Sequence, residues 1–257
     1  MKKFFLLLAL LLCTSEAWAA CGGTCHAKTA GGNWSAAGTW SATSSAGVDS
    51  VGPPAATDDV ILDAGSGNVT IDATSVGKSL TCTGYTGTLT HNSGITLTIS
   101  GSVTMVAGMT YTPAETSVIA FNTTDLTFTS GGKTPSRLQI SGTNVDVTLG
   151  DNLTFGAFKT CSFTLASTGT TIILNGFTLS GNSSTNRVLV TSGTLGSSRT
   201  VTNTTGTFAN ADFRDITFST NADYSAITGK SGDCGGNSGA TLTTGTTQTY
   251  TGGTGSW

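Results

Sequence analysis

From about residue 67 onward the chain is a run of short pieces in which apolar and polar positions alternate. In order they read NVTID, KSLTC, GTLTH, ITLTIS, GSVTM, TSVIAF, DLTFTS, SRLQIS, VDVTLG, NLTFG, CSFTLA, TTIILN, FTLSG, RVLVTS and DITFS. A period of two puts every second side chain on one face of an extended strand, so most of these pieces predict half-buried β-strands. Gly, Asn, Ser or Asp fills nearly every gap, and these residues favour turns. The apolar positions are mostly single Leu, Ile, Val or Phe flanked by Thr. Strands this thin suit a narrow core of stacked coils, with outward Thr forming ladders from coil to coil. Their uneven intervals ask for coils of unequal length, which a right-handed parallel β-helix tolerates. The expected fold is all-β: a right-handed parallel β-helix (a β-solenoid) with an N-terminal cap. A β-sandwich is the alternative.

Composition sharpens this. Threonine occurs 52 times and glycine 35, whereas glutamate occurs only at Glu16 and Glu115. Such a chain has little material for helices and much for strands. Charged residues make up 10%, against about 25% in ordinary domains. The net charge is −3, with no basic stripe, which argues against nucleic acid as a partner.

The chain divides into four segments. Lys2 and Lys3 followed by the apolar run Phe4 to Cys13 and by Ala17-Trp18-Ala19 predict a cleaved signal peptide over 1–19. Residues 20–60 are expected to form the cap and 61–232 the solenoid. The tail, 233–257, repeats elements of the opening: CGGTC begins at Cys21 and CGGNSG at Cys234, while GGNW ends at Trp34 and TGGTGSW at Trp257. It reads as a tail or as the start of a second unit. No later apolar run is long enough to span a bilayer. The expected location is secreted or cell-surface, periplasmic or extracellular.

The stretch GGNWSAAGTWS…VGPPAATDDVILDAGSGNVTID, residues 31–72, resembles the start of modules in large bacterial surface proteins and phage-tail-like proteins, and the opening of the G8 module. The residues that carry the likeness are Trp34, Trp40, Asp58, Asp59 and Val60. The resemblance implies a β-helix with a structural or adhesive role, and it brings no catalytic residues with it.

Candidate chemistry is sparse. Cys21, Cys25 and His26 form Cys-x3-Cys-His, one residue longer than the spacing for covalent haem, and three ligands fall short of a structural zinc site. No metal or other cofactor is expected. In an exported chain the simpler reading is a disulfide, Cys21 with Cys25 or either with Cys234. Cys82 and Cys161 alternate with apolar neighbours and read as small buried residues. Trp34 and Trp40 read as an apolar plate closing the solenoid, or as a platform on which a sugar stacks. Asp58, Asp59 and Asp63 could ligate calcium, although turn carboxylates more often bind backbone amides. If the chain is a carbohydrate-active enzyme, a lyase or glycoside hydrolase, then Asp212, Arg214 and Asp215 are the residues to mutate first. Alternation puts Asp212 and Arg214 on one face and Asp215 on the other, which suits paired-carboxylate cleavage poorly.

Thr-x-Thr stretches begin at 81, 86, 88, 96, 110 and 127, and such unequal spacing argues against the regular ladder that ice binding needs. The leading expectation is a non-enzymatic structural or adhesive module that meets a glycan or cell-surface polysaccharide. A phage-tail-like unit that self-associates is a further option.

Overall fold

The computed structural model describes residues 21–202, 206–224 and 231–242. The expected signal peptide and residues 243–257 of the tail lie outside these segments. Among the described residues there is no α-helix, only a 3₁₀ turn at Ala37–Thr39.

The strands stack into three sheets that each coil visits in turn. The long sheet has eleven strands. It runs from Trp40–Ser41 and Thr24–Ala27 through Asp59–Ile61, Ser79–Thr81, Val103–Thr104, Leu126–Thr129, Asp146–Leu149, Thr171–Ile173, Arg199–Thr202 and Ile216–Asp223 to Ser238–Thr241. The second sheet has eight strands, from Ser75–Gly77 to Ser231–Asp233. The third is split into four strands (Gly32–Asn33, Val69–Ile71, Thr88–His91, Thr110–Pro113) and three (Leu153–Thr154, Thr178–Ser180, Thr207–Ala209). Every ladder is parallel except that between Trp40–Ser41 and Thr24–Ala27. This is a parallel β-solenoid and not a sandwich.

Alternation builds the core. Along Ser162–Leu165, Phe163 and Leu165 are buried while Ser162 and Thr164 face out. Register then stacks like on like: Leu97, Ile119, Leu138, Phe163 and Val190 form one interior column, and all five are buried. The coils differ in length because insertions sit at the corners, outside the ladders. Arg199 and Ile216, 17 positions apart, are neighbours, and so are Thr24 and Asp59, 35 apart.

The 35-residue first coil carries the cap. Trp34 and Trp40 meet edge-to-face at 5.0 Å, and Trp40 Nε1 donates to the Trp34 carbonyl at 2.8 Å. Trp40–Ser41 runs antiparallel along the first strand and occupies its open edge, an edge that would otherwise invite pairing with another chain. The first parallel strand, Thr24–Ala27, thus lies inside the stretch assigned to the cap, and the cap loop is an insertion into coil one. At the other end Phe208, Phe213, Phe218 and Tyr224 pack ring against ring, with centroids 4.8–6.0 Å apart.

Candidate functional site

The opening cysteines are joined: Cys21 and Cys25 form a disulfide, with Cα atoms 5.2 Å apart. Cys234 stands exposed and unbridged, and Cys82 and Cys161 are buried thiols. Asp58 lies against the disulfide, its Oδ2 3.8 Å from Cys25 Sγ. The three potential ligand atoms of Cys21, Cys25 and Asp58 fall within 4.8 Å of one another. The Asp58 carboxylate already accepts the Gly23 and Ala55 amides, each at 2.9 Å. It ties the start of the first strand to the Pro53-Pro54 loop. Asp59 instead pairs with Lys78 (2.9 Å) and Ser79 (2.6 Å), and Asp63 accepts the Gly65 amide at 2.8 Å. Each of these three carboxylates therefore has partners of its own, in keeping with the turn-binding reading.

Trp34 is 1% exposed and Trp40 is fully buried. A stacking platform needs an open indole face, and neither residue offers one. Their sugar-binding role is thus set aside in favour of interior packing in the cap.

The suspected acid/base residues divide between a strand and a corner. Asp212 and Arg214 face outward on Ala211–Arg214, half-buried. Asp212 is gripped by Arg187 of the preceding coil, whose Nε reaches both carboxylate oxygens (3.0 and 2.8 Å) and whose Nη2 reaches Oδ1 (2.8 Å). Arg214 Nε donates to Thr191 Oγ1 at 3.2 Å. Asp215 is buried at a corner, with φ +55°, and accepts the Gly196 amide at 3.0 Å. A left-handed conformation is tolerated by Asp and Asn because their short polar side chains bond locally. Asn144, Asn175 and Asn210 adopt the same conformation. Asp215 is thus a corner residue, turned away from Asp212.

His91 is the one deeply buried titratable imidazole among the described residues. Its Nδ1 lies 3.0 Å from the Tyr111 hydroxyl and its Nε2 3.1 Å from the Ile95 carbonyl. A carbonyl can only accept, so Nε2–H donates to Ile95, Nδ1 accepts from the Tyr111 hydroxyl, and the neutral ring is satisfied on both sides. Desolvation lowers its pKa from 6.5 to about 4. In the unfolded chain the ring titrates near 6.5, so stability is complete above that pH. As pH falls from 6.5 to 4 only the unfolded state takes up the proton, and stability drops by about 3 kcal/mol in all. Urea unfolding across this range checks the slope, which flattens in His91→Gln.

The outward side of the long sheet carries Thr ladders of the kind that alternation predicts, with the aligned positions set by register. Thr81, Thr104 and Thr129 stand one above another. Thr127 is beside Thr148, and Thr171, Thr200, Thr217 and Ser238 form a further column. The Ser102 hydroxyl accepts the Thr127 amide at 3.0 Å, joining coils within the array. Thr81 and Thr104 are 23 positions apart and Thr104 and Thr129 are 25 apart, yet register aligns them. Unequal sequence intervals therefore do not prevent a ladder. From Ser79–Thr81 to Ile216–Asp223, the outward positions paired in register on this sheet carry no Lys or Arg, and Arg199 points inward. The second sheet is different: its outward positions include Arg137, Gln139, Asp212 and Arg214.

Comparison with known proteins finds no matching family model, no matching curated protein and no matching solved structure.

Proposed function

We propose that the chain is a non-enzymatic structural or adhesive module that acts outside the cytoplasm and presents its long sheet to a glycan or cell surface. The observation that carries this reading is the two register-aligned hydroxyl columns, one of Thr81, Thr104 and Thr129 and one of Thr171, Thr200 and Thr217, with Asp146 and Ile173 standing between them and no Lys or Arg in either. Hydroxyls both donate and accept, as sugar hydroxyls do, so the array suits a neutral polyol. The Cys21–Cys25 disulfide accords with an oxidising compartment. No helix among the described residues is long and apolar enough to cross a membrane. The resemblance of residues 31–72 to surface-protein modules points the same way. The enzyme alternative is weaker, since Asp212 is held by Arg187 and Asp215 is buried at a corner with its carboxylate on the Gly196 amide.

The test is a panel of polysaccharides assayed for retention of the purified chain and, in the same samples, for new reducing or unsaturated ends. Retention without new ends is expected. New ends that disappear in Asp212→Asn or Arg214→Gln would make the chain an enzyme.

A further inference from the structure

Among the described residues, the outward positions from Ser79–Thr81 to Arg199–Thr202 on the long face carry no aromatic ring and no Lys or Arg with which to grip a flexible, soluble chain. Its contact groups are short. Thr is β-branched, with few rotamers to lose, and the parallel ladder fixes each hydroxyl relative to the next. Neighbouring rows are separated by the strand spacing, about 4.7–4.9 Å, and alternate residues along a strand by roughly 6.6–6.8 Å. Single hydroxyl contacts exchange water for sugar and gain little. An array gains when many form at once on a partner that is also ordered, because neither side then loses conformational freedom.

Resting on the reading above, we infer that the long face binds an insoluble, ordered, neutral polysaccharide, and that its contact rows run through Thr81, Thr104, Thr129, Thr127 and Thr148. Charge supports this choice of partner. Acidic polymers would meet no cation here, since Lys78, at the edge of the array, is already paired with Asp59. The Asp146 carboxylate, in line with Thr171, accepts hydrogen bonds only, which a polyol rich in O–H donors satisfies.

The experiment compares the purified chain with Thr104→Val/Thr127→Val, which keeps side-chain shape and removes two hydroxyls. Thr112→Val, on the third sheet, is the control. Circular dichroism and Tm establish that all three fold. The probes are microcrystalline cellulose, crystalline chitin, soluble cello-oligosaccharides, and ice grown slowly from the protein solution. Expected are retention on at least one of the two solids, no measurable binding to the oligosaccharides, and about tenfold weaker retention in the double variant, a loss amplified by avidity, with the control unchanged. Equal retention of the double variant, or binding to soluble oligosaccharides as tight as to the solid, would overturn the inference but leave the module reading intact. Retention on neither the solids nor the oligosaccharides would overturn both. Incorporation into ice without retention on either solid would overturn the choice of polysaccharide as the partner.

Discussion

Trp40→Ala lowers the unfolding free energy by about 3–5 kcal/mol, the range for deleting a large buried aromatic. The indole is fully buried, packs edge-to-face on Trp34 and donates its N–H to the Trp34 carbonyl. Truncation removes all three and leaves that carbonyl without this donor in the interior. Because Trp40–Ser41 also covers the first strand's edge, loss of the ring loosens the element that shields it. In a solenoid each coil leans only on its neighbours, so damage at an end propagates inward from that end. Hydrogen exchange in Trp40→Ala is expected to speed up first in Thr24–Ala27 and Asp59–Ile61, well before Ser162–Leu165. Uniform acceleration along the whole chain would contradict this one-dimensional picture.

Phe208→Ala has an effect of similar size, about 3–5 kcal/mol, at the opposite end. Phe208 contacts Phe213 at 4.8 Å, Tyr224 at 5.2 Å and Phe218 at 6.0 Å, so one ring joins all three sheets. Thr207–Ala209 belongs to the third, Ala211–Arg214 to the second and Ile216–Asp223 to the long sheet. Edge-to-face pairs add about 0.5–1.5 kcal/mol beyond burial, so the loss falls in the upper part of the range. Urea unfolding measures it. The same exchange experiment is expected to place the first loss of protection in Arg199–Thr202 and Ile216–Asp223, leaving the Trp cap intact.

The strands were readable because one physical rule, alternation, governs them. CSFTLA yields Ser162–Leu165 and VDVTLG yields Asp146–Leu149 with the expected faces. Several strands that escaped the reading break that rule. Arg199–Thr202 turns a charged residue inward. Thr110–Pro113 ends in a proline, which is tolerated because it closes the edge of the four-stranded portion of the third sheet. Ser75–Gly77 has an outward Val76 between a buried serine and glycine, the reverse of the usual pattern.

Site residues divide in the same way. Alternation places Asp212 and Arg214 on one face, whereas Asp215 lies past the strand's end, buried at a corner with φ +55°. Alternation cannot find Arg187, 25 positions away, because coil length is written in corner insertions and not in strands. The Trp pair was legible as an apolar plate closing the solenoid, but its near-complete burial depends on how the first coil's insertion folds over it. The outward Thr ladders were legible as a class, but which threonines align is fixed only by register.

The most direct test of the account is hydroxyl-radical footprinting of the chain, free and adsorbed on whichever crystalline polysaccharide retains it. The account predicts protection of Ser79–Thr81, Val103–Thr104 and Leu126–Thr129 on the long face, with Thr110–Pro113 and Ala211–Arg214 reacting as in solution. Protection centred on Asp212 and Arg214, with the long face unchanged, would contradict it.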